Sequence, residues 1–166
     1  IGALAISALL LGTLQDQQPK EDFKGTVIVQ DIGMEKKAIN TPGDFEHILT
    51  HDGRKRYYDV HVPDSTPESN APVLIYLHGG GGSGKAMDET IEYADKLGYI
   101  LVGPYGTGVL EKSLLTWNAG EYTKPDGEKE NCCGYPTENG IDDAAFLSAV
   151  IDDLETKYSL DMERIY

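Results

Sequence analysis

The sequence predicts an α/β fold: a doubly wound, mostly parallel sheet led into by an antiparallel hairpin. Three observations carry this. Two extended runs flank His51-Asp52-Gly53, a turn signal between alternating residues. Two uninterrupted apolar runs, Val73 to Leu77 and Tyr99 to Val102, enclose a stretch with helical spacing. A second helical pattern from Ile141 to Tyr158 then leads toward a further strand near Arg164.

Composition narrows the function classes first. The chain has 166 residues, 14 Lys+Arg against 28 Asp+Glu and a formal net charge of -14, with 40% hydrophobic residues, so it is an acidic globular sequence rather than a disordered one. The negative surplus repels phosphate backbones, and Arg54-Lys55-Arg56 is too short a basic stripe to offset it, so no nucleic-acid partner is expected. The 19 glycines follow no period, which excludes repeats and collagen.

Residues 1–15 are expected to be a partial signal peptide. Ile1 to Leu14 is uncharged and apolar but shorter than the ~20 residues of a membrane span, and polar Gln15 to Pro19 follows. The alternative is a buried helix. Residues 16–43 read as a polar N-terminal segment and residues 44–166 as a domain cut off at its C-terminal end, since a strand has just opened at Arg164-Ile165-Tyr166. Export, to the outside or the periplasm, makes disulfides permissible.

Within the domain each element has a local cause. In Asp44 to Val62, Tyr58, Val60 and Val62 alternate with Tyr57, Asp59 and His61. The polar loop Asp64 to Asn70 breaks that period, and Val73-Leu74-Ile75-Tyr76-Leu77 is apolar on both faces, as a central parallel strand requires. A helix is expected over Lys85 to Leu97, with Met87, Ile91, Ala94 and Leu97 on one face and Gly98 as its terminator. Strand, helix and strand form a right-handed βαβ unit. Pro104 to Gly140 has no periodicity, and so long an irregular stretch points to function. The helix from Ile141 to Tyr158 buries Leu147, Val150, Ile151, Leu154 and Tyr158, with Asp142-Asp143 in its first turn.

The loop His78-Gly79-Gly80-Gly81-Gly82-Ser83-Gly84-Lys85, between a strand and a helix, allows three readings. As a phosphate-binding loop it has Gly79, Gly84 and Lys85 in place, but Ala86 stands where a magnesium-binding hydroxyl is needed. As a dinucleotide fingerprint it lacks the acidic residue after the second strand, where Gly103-Pro104-Tyr105 stands. As an oxyanion hole it has a mechanical logic: residues without Cβ let backbone amides approach a substrate oxygen.

The ordered set of motifs resembles the secreted polyhydroxybutyrate depolymerase and feruloyl esterase type of α/β-hydrolase. It comprises Gly53-x-x-Arg56-x-Tyr58 leading to Val62-Pro63, Ala71-Pro72-Val73-Leu74 into His78-Gly79-Gly80, and Ala94-Asp95-x-x-Gly98-Tyr99 into Gly103-Pro104. Trp117-Asn118-x-Gly120, Cys132-Cys133-Gly134, Asp142-Asp143-x-x-Phe146-Leu147 and Asp161-x-x-Arg164-Ile165-Tyr166 complete it, across residues 44 to 166. Tyr105 departs from the acidic residue common in that family.

The resemblance implies an N-terminal part of a serine esterase acting on polyhydroxyalkanoate, feruloyl or acetyl-polysaccharide esters. The Gly-x-Ser-x-Gly elbow and the catalytic Asp and His are expected beyond Tyr166, so no triad member lies in this chain. It further implies that the Gly79 and Gly80 amides form the oxyanion hole, that His78 supports that loop, and that Trp117 and Asn118 wall the cleft. His47, His51 and His61 are read as structural.

Neighbouring Cys132 and Cys133 are disfavoured as partners of one another, which makes residues beyond Tyr166 their expected disulfide partners. No metal and no cofactor are expected: two cysteines without a histidine at ligand spacing are too few. Asp142 and Asp143, at adjacent helix positions, point apart and are read as a cap or loop contact rather than paired catalytic carboxylates. The other functional class that fits is a non-catalytic module holding an anion or a sugar on the glycine loop, with a nucleotide binder as a third possibility.

Overall fold

The computed structural model describes residues 39–166; the signal-peptide expectation over 1–15 and the polar segment up to residue 38 lie outside them. Strands β1 (Gly43–His51) and β2 (Arg54–Val62) form the expected hairpin, in register from Gly43 opposite Val62 to His51 opposite Arg54. Asp52 and Gly53 both take positive φ, 49° and 68°, the two-residue turn whose twist matches that of paired strands.

Strands β3 (Ala71–Ile75), β4 (Ile100–Pro104) and β7 (Leu160–Ile165) complete a five-stranded sheet in the order β1-β2-β4-β3-β7. β2 meets β4 antiparallel, while β4, β3 and β7 run parallel. Helices cover both faces. On one, Phe146, Val150 and Leu154 of α3 (Asp143–Lys157) pack against Tyr58, Val60, Val62, Val73, Ile100 and Val102. On the other, Ala94 of α1 (Ile91–Leu97) and Met87 meet Leu101. The alternation of Ile100, Leu101 and Val102 between the two clusters is why these strands read as continuous apolar runs.

Several expectations need correction. The predicted Lys85–Leu97 helix begins as a 3₁₀ helix, Gly84–Thr90, and becomes α-helical only at Ile91. The tight packing at Gly84 accompanies this: a Cβ there would lie 2.3 Å from the Gly103 carbonyl oxygen. Leu97 is 58% exposed, outside the apolar face, whereas Gly98 ends the helix in the left-handed region as expected. The strand expected over Val73–Leu77 runs from Ala71 to Ile75, and Leu77 faces outward.

β2 is buried on both faces rather than alternating, because Tyr57 packs on Tyr105 and Leu115 and Asp59 accepts from the Tyr105 hydroxyl at 2.8 Å. β7 starts at Leu160, earlier than Arg164, and bulges where Asp161 accepts from the Glu163 amide and Arg164 Nε. The stripe of α3 includes Phe146, which the periodicity left out.

The long irregular stretch carries an exposed hairpin, β5 (Gly120–Thr123) with β6 (Lys129–Cys132), and a short helix, α2 (Tyr135–Glu138). Among the described residues no helix is long and apolar enough to cross a membrane.

Candidate functional site

The glycine loop leaves the C-terminal end of β3, a strand flanked on both sides, and is pinned at two points. Gly82 pairs with Leu115, Leu115 N–H donating to the Gly82 carbonyl at 3.0 Å, and Gly81 N–H donates to the Leu115 carbonyl at 2.8 Å. His78, 3% exposed, supplies the second pin. Gly106 N–H donates to its Nε2 at 3.0 Å, so the ring proton sits on Nδ1 and donates to the Gly79 carbonyl at 2.8 Å. Both ring nitrogens are thereby occupied, and this imidazole is a neutral brace with no nitrogen left to take a proton from a nucleophile.

The brace requires a close approach. A Cβ on Gly106 would fall 2.3 Å from the Thr116 carbonyl oxygen and 3.1 Å from His78 Nε2. Thr107 and Thr116 exchange backbone hydrogen bonds of 2.9 and 3.0 Å just beyond it, joining the loop after β4 to the segment that carries Trp117.

Gly79 and Gly80 are exposed, and their amides donate to nothing among the described residues; neither do those of Leu77 and His78. An added Cβ meets nothing within 4 Å at Gly79 and only Thr116 Oγ1, at 4.0 Å, at Gly80. A run of free amides on a loop held from behind is a set of donors looking for an acceptor.

Trp117 and Asn118 come to the same place, but their polar groups are already engaged. Trp117 Nε1 donates to the His78 carbonyl at 2.9 Å and its ring lies 4.9 Å from the His78 ring. Asn118 Nδ2 donates to the Ile141 carbonyl at 2.8 Å. Their contribution to the hollow of about 340 Å³ between Leu77, Trp117, Ala119, Asp143 and Leu147 is therefore surface and shape. Cys133 N–H donates to the Trp117 carbonyl at 3.0 Å, which places Cys132 and Cys133 beside this segment.

A latch that the motifs did not disclose holds this wall. Arg56 Nη2 donates to Asp143 Oδ1 at 2.7 Å, with both side chains 4% exposed, and Asp143 Oδ2 accepts the Asn118 amide at 2.7 Å. The guanidinium stands 3.6 Å from the centre of the Phe146 ring. Burial pulls the Arg56 pKa below its usual value, against the opposing pull of Asp143. Asp142 and Asp143 do point apart: Asp142 caps α3 by accepting from Ala145 N–H at 2.9 Å, while Asp143 faces inward. Arg56 and Asp143 each stood in a quoted motif, but nothing local pairs residues 87 positions apart.

The other histidines lie elsewhere. His47 shares a 2.8 Å hydrogen bond with the Tyr158 hydroxyl, His51 lies 3.6 Å from Asp52, and His61 sits between Asp44 at 2.7 Å and Asp95 at 2.9 Å. Lys85, an exposed side chain, pairs with Asp59 at 2.9 Å, a bond that raises its pKa. Among the described residues no cluster of three or more His, Cys, Asp or Glu is arranged to hold a metal ion.

No protein-family model and no curated protein matches the sequence. Solved structures do match. LpqC, a poly(3-hydroxybutyrate) depolymerase from Bordetella parapertussis, superposes with a TM-score of 0.55 at 17% identity, over 76% of this chain and 42% of its own. The fold is that of an α/β-hydrolase. A complex of a pOPH variant with pNPB superposes on this chain with a TM-score of 0.51 at 19% identity, again over 76% of this chain and 42% of the other. The chain thus spans less than half the length of these two structures, and its antiparallel hairpin and parallel strands make up part of that sheet.

Proposed function

We propose that this chain is the N-terminal part of an exported serine esterase that hydrolyses carboxylic esters and that it supplies the oxyanion loop. The observation that carries the reading is the pair of exposed, acceptor-free amides at Gly79 and Gly80, on a loop braced by a histidine whose two nitrogens are both engaged. Such donors stabilise the negative oxygen that develops when an ester carbonyl is attacked. The attacking serine, with its Asp and His, would lie in sequence beyond Tyr166, and Trp117 and Asn118 would wall the cleft. Substrates of polyhydroxyalkanoate, feruloyl or acetyl-polysaccharide type fit this reading. Export rests on the apolar Ile1–Leu14 segment, with Cys132 and Cys133 serving in disulfides.

The test uses the native protein with p-nitrophenyl esters and a serine-directed phosphonate. Turnover that the phosphonate abolishes is expected. Gly80→Pro removes one amide and should lower kcat by about 10²-fold or more, while Gly80→Ala, which keeps the amide, should retain most activity. Saturable ligand binding without any turnover would replace the esterase with a non-catalytic binding module.

A further inference from the structure

We infer that the hollow between the start of β2 and the Gly106–Glu111 loop is a binding site for a small oxyanion, a carboxylate or phosphate group. It encloses about 290 Å³ and is lined by Arg54, Lys55, Arg56, Thr107 and Glu111, among others. In a chain of net charge -14, three consecutive cations converge on one small space.

The donors there are not satisfied internally. Arg56 is 3% exposed, and although its Nη2 serves Asp143 and the Tyr105 carbonyl, its Nε and Nη1 have no acceptor. Thr107 Oγ1, across the hollow, is likewise buried without a partner. Arg54 and Lys55 are exposed and form no ion pair among the described residues. Glu111, the acidic residue of the lining, is already the acceptor of the Tyr57 hydroxyl. Buried donors without acceptors destabilise a fold, and an anion bearing several oxygens meets that need and balances the charge of Arg54 and Lys55 together.

A second hollow of about 210 Å³, on the His51 and Asn139 side, is also lined by Arg54 and Arg56, so exposed Arg54 borders two open spaces. The acidic remainder of the surface disfavours a polyanion. None of this depends on ester hydrolysis. It does bear on the glycine loop, because Gly106, which holds His78, lines the same hollow.

Calorimetric titration of the native protein with acetate and with inorganic phosphate, at ionic strength fixed with sodium chloride, tests the site. Saturable binding of at least one anion is expected, and the tighter of the two identifies the ligand class. The double substitution Arg54→Ala, Lys55→Ala should weaken it at least tenfold, and Thr107→Val several-fold, each with an unchanged melting temperature in chloride alone. These variants spare Arg56, whose loss threatens folding. Absence of saturable binding by either anion, or binding that both variants leave intact, overturns the assignment.

Discussion

Arg56 is the side chain on which the most depends. Removing one partner of a buried ion pair strands the other, so Arg56→Ala should cost about 3–5 kcal/mol in chemical denaturation. Arg56→Lys should recover only part of this, because an ammonium reproduces neither the stacking on Phe146 nor the planar set of donors shared by Asp143 and the Tyr105 carbonyl. Full recovery by lysine would show that charge alone matters. Gly106 is the second case. With Thr116 oxygen 2.3 Å from any added Cβ, Gly106→Ala should cost about 1–3 kcal/mol and disturb the His78 brace, which a melt and the His78 ring resonances would both report. The sequence displayed both residues, Arg56 inside a motif and Gly106 as one glycine among many. It did not display their partners, because a contact across 87 positions or a backbone approach has no local signature.

Among elements, the hairpin and α1 are joined by His61, whose ring bridges Asp44 of β1 and Asp95 of α1. Burial opposes its charge, yet the hydrogen bonds to Asp95 and then Asp44 prevail and raise its pKa. A raised value means that the folded state holds the proton more tightly. This stabilisation is complete below the unfolded value of about 6.5 and is lost as pH rises through the folded value. His47 acts oppositely: burial, and next Lys157, lower its pKa, so it favours the folded state above about 6.5 and disfavours it as pH falls. His61→Gln should therefore abolish the decline in melting temperature on the alkaline side and leave the rising trend of His47. An unchanged profile would remove His61 from the account. The turn offers a simpler check: Gly53 at φ 68° makes Gly53→Ala destabilising by about 1 kcal/mol, by thermal melt.

On the scale of the whole molecule, β3 is an interior strand, with β4 on one side and β7 on the other. β7 covers it through Ala71 opposite Leu160 and Val73 opposite Ile165, and Ile75 N–H still donates to the Tyr166 carbonyl at 2.8 Å. Among the described residues the open edge on that side belongs to β7, with Met162 and Tyr166 exposed. Residues 39–166 expressed alone should self-associate through this edge, seen as concentration-dependent light scattering, and a monomeric, cooperatively melting species would refute it.

The sequence by itself determined the α/β class, the Asp52-Gly53 hairpin, the central strand and the position of the glycine loop at its end. Each of these follows from short-range causes: a period, a turn residue, an apolar run bounded by breakers. Only the tertiary structure decided that His78 is a neutral brace, that the polar groups of Trp117 and Asn118 are already engaged, and that Arg56 is paired with Asp143, which holds the Asn118 amide. Those outcomes depend on which distant donor meets which acceptor, and that is fixed when strands and loops from separate parts of the chain pack together.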